Sequence, residues 1–194
     1  MRLVLIGCSG FIGKELIPHL LSIGHQLTVI TRKNRERLDK YLFQGDIVTL
    51  EMDLNYKKSW ENKMLISSIE QAEGIINLAG EPIAEKRWTK SHLKVIEDSR
   101  LNITRSLINT LNNIKHSPKL LINGSAIGYY GTSETDIYNE TSNNGQDYLA
   151  HLCKNWENIA LKKPAKTRLV ILRIGIVLER DGGALAKMIP VFKT

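Results

Sequence analysis

Cysteine is nearly absent from this chain: Cys8 and Cys153 are the only two, far apart and without C-x-x-C spacing. That excludes a disulfide scaffold and a cysteine-built zinc site, and leaves two free thiols. The five histidines, His19, His25, His92, His116 and His151, are scattered without ligand spacing, so no metal is expected. Aromatics make up only 6% of the residues. No apolar run approaches the length of a membrane span, so no membrane partner is expected. The first strand begins at Arg2, which leaves no room for a removable signal and gives the expectation of a cytoplasmic protein.

What is present suits an ordinary α/β protein. The 194 residues are 42% apolar, enough for one domain with a substantial core. Lys and Arg number 27 against 20 Asp and Glu, a formal charge of +7. The excess gathers at Arg32 to Arg37 and at Lys162 to Arg168, neither interleaved with aromatics. Solvated turns are the ordinary reading of such runs, and no nucleic-acid partner is expected.

The chain is organised around Met1 to Gly13, MRLVLIGCSGFIG, where the apolar run Leu3 to Ile6 meets glycines at 7, 10 and 13. Ile12, Leu16 and Leu20 then recur at helical spacing, with Ile17 and Leu21 beside them. A strand, a glycine turn and a helix without a gap are the context in which G-x-x-G-x-x-G binds a dinucleotide. The first glycine permits the tight turn, the second lets a pyrophosphate approach, and the third lets helix and strand pack closely. Amides at the helix start then face the phosphates.

Further strands are expected at Leu27 to Ile30, Ile47 to Met52, Gly74 to Leu78, Lys119 to Ile122 and Leu169 to Leu172. Helical patterns run over Trp60 to Ile69, Trp88 to Asn113 and Tyr148 to Leu161, and Pro18 should bend the first helix or cost it stability. Six short apolar strands alternating with helices imply a three-layer, doubly wound parallel sheet. Ligands on such sheets collect at the strands' carboxyl ends. That rim gathers Gly7, Ser9, Gly10, Phe11 and Ile12, then Thr31-Arg32, Asp53-Leu54, Leu78-Ala79-Gly80 and Ser125. No acidic residue stands between Gly24 and Arg35 to hold an adenosine ribose. Arg32, with Lys33 and Arg35 behind it, suits a 2′-phosphate, which favours NADP over NAD; a solvated basic loop is the alternative. Asp53 suits an adenine amino group, or simply begins a loop.

Several motifs together resemble the extended and atypical short-chain dehydrogenase/reductases: GCSGFIG (7–13), Asp53-Leu54, NLAG (77–80), and Ser125 followed by Tyr129-Tyr130-Gly131. A narrower likeness lies in NLAGEPIAEKRW (77–88), DSR (98–100), SAIGYYG (125–131), LCKNWE (152–157) and LRIGIVLERDGGALAKM (172–188). These runs resemble epimerase-family proteins labelled nucleoside-diphosphate-sugar epimerases or cell-division inhibitors, nearly end to end. The resemblance implies an NADP-binding Rossmann domain, with Thr31-Arg32 at the adenosine phosphate, Asp53-Leu54 near adenine, and the loop from Gly80 through Glu81 to Arg87 along the cofactor.

Short-chain dehydrogenases carry a Tyr with a Lys four residues later, on one helix face. Here the residue four after Tyr148 is Leu152, and the lysine is Lys154. The pair is absent as a motif. Ser125 remains placed to hydrogen-bond a substrate oxygen, and Tyr129 or Tyr148 to donate a proton, with structural tyrosines as the alternative. The expected organisation is a dinucleotide-binding domain over 1–174 and, over 175–194, the start of a substrate-binding region that the family continues, so a fragment or a truncated relative is expected. Two functions follow: an NADP-dependent epimerase or reductase on a small polar, nucleotide-sugar-like substrate, or a catalytically silent NADP-binding module. The sequence leaves the oligomeric state open.

Overall fold

The computed structural model describes residues 1–33, 36–41, 45–179 and 189. Six strands form one sheet: β1 (Arg2–Ile6), β2 (Gln26–Thr31), β3 (Ile47–Glu51), β4 (Gly74–Asn77), β5 (Leu120–Ala126) and β6 (Arg168–Ile174). Their order is β3-β2-β1-β4-β5-β6 and every pairing is parallel. The order reverses between β1 and β4, the point where doubly wound sheets open a crevice.

The helices are α1 (Gly13–Ser22), α2 (Glu36–Asp39), α3 (Lys63–Gln71), α4 (Lys90–Asn113) and α5 (Tyr148–Ala160). Along β1 the side chains alternate between two cores, as the pleat requires. Val4 and Ile6 join Leu65 and Ile69 of α3 and Ile103, Leu107 and Leu111 of α4. Leu3 and Leu5 join Ile17, Leu20 and Leu21 of α1, with Leu38 and Tyr41.

Local chemistry sets the boundaries. The helix expected from Trp60 is a 3-10 turn at Lys57–Glu61 followed by α3. Asn62 separates them, its side chain accepting from the Met64 and Leu65 amides as an N-cap. Thr89 starts α4 in the same way. β5 runs four residues beyond the expected end at Ile122, because pairing with β6 continues to Ala126 opposite Ile174. Ser125 therefore lies within a strand. Arg35, and residues 180–188 and 190–194, the greater part of the expected substrate region, lie outside the described residues.

Pro18 sits inside α1 and has no N–H for the carbonyl of Lys14. The Tyr41 hydroxyl donates to that carbonyl instead, at 3.0 Å. Tyr41→Phe should therefore destabilise the fold by about 1–3 kcal/mol. In a Pro18→Ala background, where the helix amide is restored, the same change should cost less; urea titration of the four variants measures the difference.

Candidate functional site

The carboxyl ends of β1 to β4 border a cleft of about 790 Å³, within the usual range for a small-molecule site. It brings together Gly7, Ser9 and Gly10, Thr31 and Arg32, Asp53 and Leu54, and Ala79, Gly80 and Glu81. Phe11, Ile12, Leu78 and Arg87 are not in its wall. Phe11 carries the Lys14 ammonium over its ring, and Ile12 is the first residue before α1. Leu78 packs against the α1-side core, and Arg87 is exposed.

Gly7 has φ +75°, and a Cβ there would overlap the backbone of Leu78 and Ala79. This glycine therefore serves both the turn and the close passage of the loop after β4. Gly13 departs from its expected contact, since a Cβ there would strike the Cys8 carbonyl within the turn itself rather than the strand. Gly10 has open space in front of it. The Ser9 to Ile12 amides donate to no acceptor among the described residues, and α1 has no side-chain cap. An uncapped helix start facing a cleft fits a diphosphate. Cys8 is sealed beneath, and burial pushes its thiol up to about 12.

At the second strand end Arg32 reaches Glu81 across the cleft, Nη2 to Oε2 at 3.4 Å, with the Arg32 side chain 54% exposed. Thr31 donates its hydroxyl to the Lys33 carbonyl. Asp53 Oδ1 accepts from the backbone and side chain of Asn55, while Oδ2 has no partner among the described residues.

The other strand ends are held by polar groups that hydrophobic periodicity did not single out. Asn77, fully buried, donates to Thr104 Oγ1 and Asn123 Oδ1, and accepts from the Ala79 amide. Trp156 Nε1 donates to the same Thr104 hydroxyl at 2.7 Å. Ser99 Oγ accepts from the Glu81 amide, and Arg100 Nη1 donates to the Glu81 carbonyl. The cleft wall after β4 is thus pinned to α4. Strand-terminal Asn in NLAG and NGSA was the signal available in the sequence.

None of the expected catalytic residues is in the wall of this cleft. Ser125 is 4% exposed, and its hydroxyl donates to Glu157 Oε1 at 2.5 Å, so it is not presented to a substrate as expected. Glu157 forms a two-point ion pair with Arg173, 3.0 Å from Nε and 2.9 Å from Nη2. Arg173 also donates to the Tyr130 hydroxyl and stacks 3.6 Å above the Tyr129 ring. The Tyr129 hydroxyl makes no hydrogen bond among the described residues. Tyr148 turns toward α4, where its hydroxyl donates to Glu97 Oε1 at 3.1 Å. Burial first, then that hydrogen bond, pushes the phenol up to about 12, against the opposing charge of Arg100.

The α5 face that meets β5 carries Leu149, Cys153 and Glu157, four residues apart: Leu149 against Gly128, Cys153 beside Ser125 and Ala126, Glu157 on Ser125. Neither a phenol nor an ammonium occupies that face, and Lys154 is exposed. Burial raises the Cys153 pKa, which disfavours the thiolate. Among the described residues no group of three or more His, Cys, Asp or Glu gathers to hold a metal. No described helix is long and apolar enough to cross a membrane.

The chain matches the NAD dependent epimerase/dehydratase family over residues 3–188. The Arabidopsis thaliana Epimerase family protein SDR39U1 homolog, chloroplastic, is 37% identical over 198 residues, 100% of this chain and 54% of the relative. Human Epimerase family protein SDR39U1 is 31% identical over 196 residues, 100% of this chain and 60% of the relative. The crystal structure of human SDR39U1 isoform 2 with NADPH superposes with TM-score 0.80 at 30% identity, again over 100% of this chain and 60% of that one. MoeE5 in complex with UDP-glucose and NAD shares the fold, with TM-score 0.70 at 17% identity over 94% of this chain and 58% of its own. The chain thus spans a little over half the length of the curated relatives it matches.

Two measurements test this geometry. Glu157→Gln removes one partner of a pair whose side chains are 17% and 7% exposed, and should cost about 3–5 kcal/mol in urea unfolding. In ultraviolet titration one tyrosine should resist ionisation until about pH 12, and Tyr148→Phe should abolish that last step. Because the folded-state value is raised, the associated stability is present below pH 10 and is lost as the pH rises from 10 to 12.

Proposed function

The chain belongs to the NAD dependent epimerase/dehydratase family, and from that premise we propose that it binds a nicotinamide dinucleotide, NADP(H) over NAD(H), along the β1–β4 rim. The observation that carries this reading is the uncapped glycine turn opening onto a cleft with a guanidinium at its far wall. The Ser9 to Ile12 amides receive the diphosphate. Arg32 exchanges Glu81 for a 2′-phosphate, a bidentate match that a ribose hydroxyl cannot offer. Asp53 Oδ2 accepts from the adenine amino group, with Leu54 beside the ring. Arg87 lies further along the loop from Gly80 and serves as an outer contact. Human SDR39U1 crystallised with NADPH supports the preference, while MoeE5 crystallised with NAD.

The activity best suited to this arrangement is epimerase- or oxidoreductase-like, on a small polar substrate of nucleotide-sugar type. A bound nicotinamide supplies a hydride donor or acceptor. The proton must then come from a side chain. Tyr129 suits that role better than Tyr148, since its hydroxyl is not committed to another residue. Ser125 reaches a substrate oxygen only by releasing Glu157. In this reading residues 1–174 are the dinucleotide-binding domain and 175–194 begin a substrate region.

The Leu149, Cys153, Glu157 face favours a second reading, a catalytically silent NADP-binding module. The two separate in one experiment. NADPH oxidation above blank with any of a panel of carbonyl compounds supports turnover, whereas a melting-temperature rise with NADPH and no turnover supports the silent module. Loss of both would end both readings.

Arg32→Ala should weaken NADPH binding by about tenfold or more while leaving NADH within about twofold, as the loss of a charge-assisted contact to phosphate requires. Fluorescence titration with each cofactor measures it, and equal losses would remove Arg32 from the 2′-phosphate.

A further inference from the structure

The end of β2 has no carboxylate of its own, since no Asp or Glu occurs between Gly24 and Arg35. Folding brings one there from another strand. Glu81, just beyond β4, stands across the cleft with Oε2 3.4 Å from Arg32 Nη2. The charged side chains in the cleft wall among the described residues are Arg32 and Lys33, Asp53 and Glu81. In a chain of net charge +7, the wall is balanced.

Arg32 and Glu81 are not held alike. The Glu81 side chain is 16% exposed against 54% for Arg32. The Glu81 amide donates to Ser99 Oγ at 2.9 Å, and its carbonyl accepts from Arg100 Nη1 at 3.0 Å. Its side chain thus starts from a backbone pinned on both sides. Arg32 has only the one long contact, so it is the partner that turns away. The Glu81 charge also acts on the Arg100 guanidinium, and the carboxylate keeps a cation nearby when Arg32 leaves it.

We propose that Glu81 sets the margin of cofactor choice, opposing Arg32. Toward NAD(H) its carboxylate accepts from the adenosine ribose 2′-hydroxyl, the part an acid at the end of β2 plays in NAD-binding sheets of this type. Toward NADP(H) it competes for the Arg32 guanidinium and repels the 2′-phosphate. A carboxylate is an acceptor only, and the ionised phosphate has no proton to give it, whereas the hydroxyl does. The proposal rests on the cleft being the dinucleotide site, as proposed above. It adds that the NADP preference is the difference between two opposed side chains, with Glu81 keeping the cleft open to NAD(H).

Titration of NADPH and of NADH into the wild-type 194-residue chain and Glu81→Gln, followed by cofactor fluorescence, tests this. The substitution removes the charge and leaves both backbone pins in place. NADPH should bind about threefold tighter or more and NADH about threefold weaker or more, moving their ratio by about tenfold, as loss of a charge-assisted contact implies. The NADPH gain should shrink as salt is raised, because it comes from charge. An unmoved ratio, or equal weakening of both cofactors, overturns the proposal. Should Glu81→Gln fail to fold, Glu81→Ala is read by the same criterion. Wild-type binding of neither cofactor ends the dinucleotide reading and the Glu81 proposal with it, whereas binding of both with an unmoved ratio ends the Glu81 proposal alone.

Discussion

At the point where the sheet reverses its order, the turn after β1 and the loop after β4 pass so close that no β-carbon fits between Gly7 and the backbone of Leu78 and Ala79. Parallel pairing of β1 with β4, Ile6 opposite Asn77, drives the two chain segments into that approach. Since neither segment can shift without the other, the cleft has a fixed floor. Ser9 and Gly10 stand in its wall, as do Gly80 and Glu81.

Polar groups extend this constraint outward. Asn77 spans from β4 to β5 and α4, and Trp156 of α5 meets it at the Thr104 hydroxyl. A buried network of this kind holds only when every member is satisfied, because an unpaired polar atom there costs more than the bond is worth. Ser99 and Arg100 then tie the loop at Glu81 to α4. The cleft is thus walled by strand ends locked to helices on one face of the sheet, which leaves α1 and its uncapped start on the other.

Around β5 and β6 the same logic produces an ionic cluster instead. Ser125 stands opposite Arg173 in the register, and Glu157 from α5 completes the pair between them. Groups in that position on a strand end would ordinarily be available to a ligand. Here they satisfy one another, while the Tyr129 hydroxyl beside them makes no hydrogen bond among the described residues.

Read from the chain alone, the glycine turn, the six apolar runs and their alternation with helices already specified a doubly wound parallel sheet and most of the strand ends that line the cleft. These signals are local: a turn needs glycine where φ is positive, and strands and helices declare themselves by period. The absence of a Lys four residues after any Tyr was equally plain. Tertiary structure alone decided what the polar side chains do. Ser125 faces Glu157 because β5 continues four residues further in register with β6. Tyr148 sits one position off the face that Leu149, Cys153 and Glu157 share, and so meets Glu97. Arg100 acquires its surroundings only when Gly80, Glu81 and Trp156 converge on it from separate elements. Period and propensity act along the chain, whereas hydrogen bonds and charge pairs depend on distances that folding sets.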